Sequence, residues 1–287
     1  MPGPGDNAAV GVEHYENFPV ASVLCPPAVR PAVVALYGFA RTADDLADEG
    51  EVPAPTRLAD LAAYRADLSA VLAGHAPSDR WAPVFRALAI AHRRHDLPAE
   101  PLHALISAFE QDVRNPAYAS RDALLEYCRL SANPVGRLLL HLYGVASPQA
   151  LGESDAICSA LQLINFWQDL GIDQSRRRNY LPHVDLHRHG LQPPEIVPMT
   201  DGPALRALVR DLCDWARALM VRGAPLVRRL PGRAGWELRL VVQGGLRILE
   251  KIARLEHATL HQRPRLRGID APLLLWRAAT MRLPSTP

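Results

Sequence analysis

Apolar residues recur at intervals of three and four positions along nearly the whole chain. This spacing places them on one face of a helix, whereas the alternating stretches rich in valine, isoleucine and threonine that indicate strands are scarce. Prolines separate the periodic segments, as is usual between helices. The pattern predicts an all-α protein, with helices near residues 28–48, 57–73, 80–95, 99–113, 120–143, 153–171, 203–229, 234–262 and 271–281.

One of these predicted helices, 120–143, contains a proline in its interior. Pro134 has no backbone donor, and its ring disfavours helical geometry at the preceding Asn133. We therefore expect a kink or break between Asn133 and Gly136. Such a kink can turn backbone groups towards a ligand, although packing alone would also explain it.

The helix predicted at 28–48 carries acidic residues although most of it is apolar. Within "YGFARTADDLADE", one face holds Tyr37, Arg41, Asp44 and Asp48. Their separations of four, three and four positions match the helical repeat, so the four side chains are neighbours. We call this set the first acidic stripe.

A second polar face lies near the end of the helix predicted at 153–171, within "LQLINFWQDLGID". Asn165, Asp169 and Asp173 recur every four residues, which again places them on one face. Gln162 precedes them by about one turn, and Gln168 lies beside them. We call Gln162, Asn165, Asp169 and Asp173 the second acidic stripe.

Ionised carboxylates on apolar helices are costly to bury without a counter-charge. A single carboxylate pair four residues apart usually lies on a solvated face, but two such pairs on apolar helices favour a shared cation. Magnesium suits this role because it binds one or two carboxylates, keeps several waters and accepts substrate phosphate oxygens. The stripes therefore predict a magnesium site for a phosphorylated substrate.

Three arginines, Arg176, Arg177 and Arg178, follow the second stripe directly. The planar guanidinium group donates two parallel hydrogen bonds, which suits a departing diphosphate. Cations near the end of a helix also complement its dipole, so the position alone leaves both explanations open.

Length and composition narrow the class of protein. With 287 residues and a net charge of +2, the chain fits one domain and lacks the basic surface of a nucleic-acid-binding protein. The four cysteines form no CxxC pair, so we expect buried free thiols. We find neither a secretory signal nor an apolar run long enough to span a membrane, and expect a cytoplasmic protein.

From about His14 to the final helix, the chain resembles the squalene/phytoene synthase family. "YGFARTADDLADE" is similar to its first aspartate-rich motif, "LQLINFWQDLGID" with "RNYLP" to its second, and "QDVRNPAYASRDALLEYC" with "SANPVG" to the helices between them. The resemblance implies a terpene synthase helical bundle around a central cavity, which we assign to residues 14–282 after a flexible tail at 1–13.

The resemblance also implies roles for individual residues. The Mg²⁺ ligands would be Asp44, Asp48, Asn165, Asp169 and Asp173. The diphosphate site would contain Tyr37, Arg41, Gln162, Asn165, Arg178 and Tyr180. We add Phe18, Gln168 and Asn133 to the predicted substrate site, and either Gln168 or Asn133 could position a water.

Two strings, "ENFPVAS" and "NFWQD", resemble the hydroxysqualene synthase branch of this family. Members that join two prenyl diphosphates often have Ser-Lys-Ser-Phe where this chain has Tyr15, Glu16, Asn17 and Phe18, so phosphate-binding groups are fewer here. We therefore expect conversion of presqualene diphosphate and water to hydroxysqualene and diphosphate, in a hopanoid pathway whose preceding and following enzymes would be its partners.

Three alternatives remain open at this point. The chain could be a presqualene diphosphate, squalene or phytoene synthase, although we find no nicotinamide-binding GxGxxG loop for a reductive step. It could be a non-catalytic scaffold protein of the same family, although such a protein would be expected to lose stripe aspartates. A calcium-binding helical adaptor would fold in a calcium-dependent way.

Some features favour ordinary structural roles. The histidines in "HVDLHRHG" are expected in a surface loop rather than at a zinc site. Phe39, Phe166 and Trp167 could stabilise a carbocation, but we expect Phe166 and Trp167 in the core. The final helix, with Trp276, Arg277 and Arg282, could contact the inner membrane face peripherally, but we favour core packing.

Overall fold

The computed structural model describes residues 25–50, 52–230 and 232–281, and within these ranges it contains helices and no strand. This confirms the predicted all-α class. The α-helices are α1 (Arg30–Asp48), α2 (Ala54–Leu72), α3 (Ala82–His95), α4 (Ala99–Arg114), α5 (Arg121–Ser131), α6 (Asn133–Leu142), α7 (Pro148–Gln168), α8 (Leu170–Ser175), α9 (His183–Arg188), α10 (Pro203–Gly223), α11 (Gly232–Arg254) and α12 (Ala271–Thr280). Short 3₁₀ helices occupy Ala224–Arg228 and Gly268–Asp270.

The expected break at Pro134 is confirmed. Helix α5 ends at Ser131 and α6 begins at Asn133, with Pro134 in the first turn of α6. Proline is well tolerated there because the first helical residues have no intrahelical partner for their N–H groups.

Other boundaries differ from the sequence prediction. Helix α7 begins five residues earlier than predicted, at Pro148, because the Ser147 hydroxyl accepts a hydrogen bond from the Ala150 N–H and caps the helix. Helix α11 ends at Arg254 rather than near residue 262, and Glu256 and His257 then adopt positive φ angles that cannot continue a helix. The predicted loop at "HVDLHRHG" contains α9.

Buried residues form two clusters. One is built mainly by α1 to α4 around Phe39, Tyr64 and Phe85, and the Tyr64 hydroxyl donates to the Phe39 carbonyl oxygen at 3.0 Å. The other is built by α5 and the helices that follow it, with α7 in its middle and Trp167 among its fully buried side chains. The two acidic stripes therefore belong to helices of different clusters.

Several sequence predictions fall on the described residues and others do not. Cys25, Cys128, Cys158 and Cys213 are free thiols, and all but Cys158 are buried. No described helix has the length and apolar character needed to cross a membrane. Phe18, Arg282 and the boundary expected near residue 14 lie outside the described residues.

Candidate active site

The ends of α1, α4 and α7 meet at a group of acidic side chains. Arg178 lies just after α8 and forms an ion pair with Asp48 of α1, 130 residues away in sequence. The negative charge of Asp48 also contributes to the raised pKa of Asp173 on α8. The structure therefore brings the two acidic stripes to the same place.

Arg41 of the first stripe pairs with Asp44 of the same stripe and with two acids beside it. Arg41 donates hydrogen bonds to the carboxylates of Asp44 at 2.8 Å and Glu49 at 3.0 Å, and forms an ion pair with Asp45 at 2.6 Å. Burial and the neighbouring Asp48 nevertheless raise the pKa of Asp44 to about 6. The negative charge of this stripe is thus only partly compensated by Arg41.

The second stripe lies where α7 gives way to α8. Asp169 separates the two helices, and Arg263, from the segment after α11, forms an ion pair with it. Burial and the nearby Asp169 raise the pKa of Asp173 to about 7. Arg178 and Arg176 act in the opposite direction without cancelling this effect.

A tight turn directs Arg178 back to the site. Arg177 adopts a left-handed conformation with φ 57°, and its carbonyl oxygen accepts a hydrogen bond from the Asn115 side chain at 2.7 Å. The Arg178 N–H donates to the Asp173 carbonyl oxygen at 2.8 Å. This backbone geometry places the guanidinium group between the stripes, so Arg178 does more than complement a helix dipole.

Sequence reasoning missed a fifth carboxylate, Asp112 of α4. The Tyr127 hydroxyl donates to Asp112 Oδ2 at 3.0 Å. Burial raises the pKa of Asp112 to about 7, although Tyr127 and Arg178 oppose the shift. Its signal in the sequence was weak, because Asp112 is one of two acids, with Glu110, between the apolar residues Phe109 and Val113 on a predicted helix.

Aromatic rings adjoin this carboxylate. Phe166 of α7 stacks on Tyr180 with 3.8 Å between ring centroids and an angle of 8° between ring planes. Tyr127 and Tyr118 complete the group, and burial raises the pKa of Tyr127 well above its ordinary value. Phe166 and Trp167 are both buried in the second core, as predicted from the sequence, and Phe39 is fully enclosed in the first.

The other predicted site residues differ in their burial. Tyr37 lies on the first stripe and is half-buried, and Gln162 and exposed Asn165 precede Asp169 on α7. Asn133 is buried and accepts a hydrogen bond from Ser159 at 2.9 Å, beside a pocket of about 330 Å³ that Tyr127 also lines. The prediction that Gln168 contacts substrate is not supported, because this side chain is fully buried and donates to the Pro264 carbonyl oxygen at 2.6 Å.

The segment after α11 lies directly on the second stripe. In addition to the contacts of Gln168 and Arg263, the backbone of Leu260 lies very close to Gly171. A Cβ atom on residue 171 would stand 2.1 Å from the Leu260 carbonyl oxygen. Glycine is therefore required where α8 meets this segment. Arg263 was not singled out from the sequence, although "RPRLR" is visibly basic.

The donor set of the acidic group suits a magnesium ion. No three of the described Asp, Glu, His or Cys side chains stand close enough together to form a completed metal site. The side chains of the stripes offer hard oxygen ligands, and the pKa values of Asp44 and Asp173 are raised by burial and by neighbouring carboxylates. A divalent cation would relieve this repulsion once the arginines yield their carboxylates.

Comparison with known proteins identifies the family of this chain. The squalene/phytoene synthase family model matches residues 12–270. A hydroxysqualene synthase from Rhodopseudomonas palustris is 34% identical over 259 residues, covering 89% of this chain and 85% of the relative. A presqualene diphosphate synthase from the same organism is 31% identical over 231 residues, covering 80% of this chain and 81% of the relative.

A solved structure extends the agreement to three dimensions. The squalene synthase HpnC from Alicyclobacillus acidocaldarius is 37% identical and superposes with a TM-score of 0.77, covering 85% of this chain and 90% of that one. The chain belongs to the squalene/phytoene synthase family. Its helices form the fold of squalene synthase-type terpene synthases.

Proposed function

We propose that this protein is a magnesium-dependent hydroxysqualene synthase. It would convert presqualene diphosphate and water to hydroxysqualene and diphosphate, as a step in squalene and hopanoid biosynthesis. The observation that carries the proposal is the proximity of the two acidic stripes, with Arg178 paired to Asp48 of the first and close to Asp173 of the second. The similarity to hydroxysqualene synthases supports the choice of substrate.

The arginines of the site would change partners when substrate binds. In the structure Arg178 pairs with Asp48, and Arg263 pairs with Asp169. Mg²⁺ held by Asp44, Asp48, Asn165, Asp169 and Asp173 would neutralise charge on the departing diphosphate as a Lewis acid. Arg41, Arg178 and Arg263 would then turn from these carboxylates to the diphosphate oxygens, which guanidinium groups bind in a bidentate manner.

The aromatic rings near Asp112 would lie beside the carbocation that forms. When the carbon–oxygen bond breaks, its electron pair leaves with the diphosphate and a cyclopropylcarbinyl cation remains. The faces of Phe166, Tyr127 and Tyr180 could stabilise it by about 1–2 kcal/mol each. Water then adds to the rearranged cation and loses a proton, which leaves hydroxysqualene.

A condensing reaction is the second candidate, because a presqualene diphosphate synthase is nearly as similar as the hydroxysqualene synthase. An enzyme that catalyses this condensation must bind the diphosphate groups of two substrates. A non-catalytic scaffold is a weaker candidate, since Asp44, Asp48, Asp169 and Asp173 are all present.

Product analysis separates these candidates. The protein would be incubated with Mg²⁺ and presqualene, farnesyl or geranylgeranyl diphosphate, without nicotinamide, and the products identified by mass spectrometry. We expect hydroxysqualene from presqualene diphosphate. Turnover of only the two prenyl diphosphates would overturn the proposal, and turnover of none would favour the scaffold.

Two substitutions test the site itself. Asp44→Asn and Asp169→Asn keep the size of each side chain but remove its charge, so each should abolish diphosphate release while the fold is retained. Circular dichroism would verify the fold. Undiminished release by either variant would contradict the assignment of the stripes.

A further inference from the structure

Helix α12 packs on α11 through the fully buried Ala278, as favoured from the sequence, but its outer face is apolar as well. Its exposed residues Pro272, Leu275, Trp276 and Ala279 follow the helical repeat and form one continuous stripe. Leu275 and Trp276 are 56% and 53% exposed, and Ile269, just before the helix, is 84% exposed. A surface helix normally turns its polar side outward, so an exposed apolar stripe of this kind indicates an interaction surface.

The charges around this face are almost all positive. Between residues 257 and 287 the only acidic side chain is that of Asp270, and it is buried against Lys251 and Arg247. Arg265 and Arg267 are exposed beside Ile269. An exposed apolar stripe bordered by cations complements a surface that combines acyl chains with negative headgroups.

Tryptophan at the edge of the stripe strengthens this assignment. Trp236 of α11 is exposed, and Arg239 lies over its ring while donating to the Ala278 carbonyl oxygen of α12. Trp236 therefore lies along the edge where α11 packs on α12. Indole rings have an apolar body and one polar N–H, and they are enriched where bilayers meet water.

We propose that α12 docks this protein on the surface of an anionic lipid bilayer. We name the surface formed by Trp236, Ile269, Leu275 and Trp276, with Arg265 and Arg267 at its border, the α12 face. The apolar side chains enter the boundary between headgroups and acyl chains, and the arginines attract anionic headgroups. The binding is peripheral, since α12 has only ten residues.

The chain connects this face to the candidate active site over a short distance. Arg263, which pairs with Asp169, precedes Ile269 by six residues, and six residues extend over at most about 22 Å. An oily substrate or product would therefore have a short path between bilayer and site. Docking itself does not depend on which reaction the site performs.

Vesicle sedimentation without substrate tests the docking. Wild type, Trp276→Glu and Leu275→Glu would be compared on phosphatidylcholine vesicles with and without phosphatidylglycerol, at low and high salt. Ile90→Glu on α3 is the matched control, because Ile90 is 60% exposed and far along the chain from α12. All four proteins should have the same circular dichroism spectrum.

We expect wild type and Ile90→Glu to sediment with the anionic vesicles, and to do so less at high salt. Each α12 substitution should lower the partition coefficient about tenfold or more, because a charge must enter the interface. Absence of wild-type binding, or equal losses in Ile90→Glu, would overturn the proposal. Self-association of wild type that is lost in Trp276→Glu, without vesicle binding, would instead assign the face to a second copy of this chain.

Discussion

Asp112 connects the acidic group to the aromatic rings through the Tyr127 hydroxyl. In Asp112→Asn, the amide oxygen can still accept from Tyr127, so the fold should be retained, but the negative charge that interacts with Arg178 is lost. We expect kcat to fall by about tenfold or more, with a smaller change in KM, because charge placement acts mainly in the transition state.

The matched control for this change is Glu126→Gln. Glu126 lies on the neighbouring α5, where its ion pair with Arg129 is solvent-exposed, and such pairs contribute little. Steady-state kinetics with presqualene diphosphate should therefore separate the two variants. Equal kcat values for Asp112→Asn and wild type would remove Asp112 from the site.

At the scale of elements, the contact between α8 and the segment after α11 depends on Gly171. Gly171→Ala would place a methyl group against the Leu260 carbonyl oxygen, which must move together with Arg263 and Pro264. We expect a loss of about 1–3 kcal/mol in the free energy of unfolding, typical of overpacking, and reduced turnover. Urea denaturation and kinetics would measure both.

Gly152→Ala provides the comparison for that substitution. Gly152 lies in α7 with open space where a Cβ would stand, so alanine there should stabilise the helix by up to about 1 kcal/mol. If both alanine variants have the same stability, the close approach at Gly171 does not constrain the segment.

Helices α11 and α12 are held together by a network of buried charges. Asp270 is 2% exposed and receives hydrogen bonds from Arg247 at 2.9 Å and from the Arg267 N–H at 2.8 Å, with Lys251 at 2.6 Å. Burial alone would raise the pKa of Asp270, but these partners lower it to about 2. Because the folded-state pKa is depressed, the stabilisation is present at neutral pH and is lost as the pH falls through about 4 to 2.

Asp270→Asn should therefore lower the free energy of unfolding by about 2 kcal/mol at pH 7. The difference in the free energy of unfolding between this variant and wild type should shrink as the pH is lowered from 4 towards 2, because the wild-type carboxylate becomes protonated in that range. Urea unfolding across this range would measure it, with the exposed Asp122 of α5 changed to Asn as the control. A difference that does not depend on pH would contradict the ionic origin of the stabilisation.

The sequence predicted those elements and site residues whose signals are local. Periodicity located most helices, Pro134 located the break, and the four-residue spacing of Asp169 and Asp173 identified a shared face. The sequence did not reveal Asp112 or Arg263, because each of these residues reaches the site only through packing between distant segments. The burial of Gln168 was not visible for the same reason, because its partner, Pro264, lies 96 residues further along the chain.

At the scale of the whole molecule, the candidate site joins two separately packed parts. The first stripe extends from the core of α1 to α4, and the second extends from the core around α7. Arg178 and Asp48 connect them across this boundary. A ligand that binds both stripes should therefore hold the two cores together and raise the stability of the entire fold.

Thermal unfolding with Mg²⁺ and inorganic diphosphate tests this coupling. A ligand present at about one hundred times its Kd increases the free energy of unfolding by about 2.7 kcal/mol, which should raise the Tm by about 5 °C or more. Mg²⁺ alone should act more weakly, because it lacks the diphosphate oxygens that complete its coordination. The double variant Asp44→Asn, Asp169→Asn should show no increase, since both stripes then lack a ligand. An equal increase with Ca²⁺ alone would instead favour a calcium-binding helical protein, because no diphosphate would then be needed to join the cores.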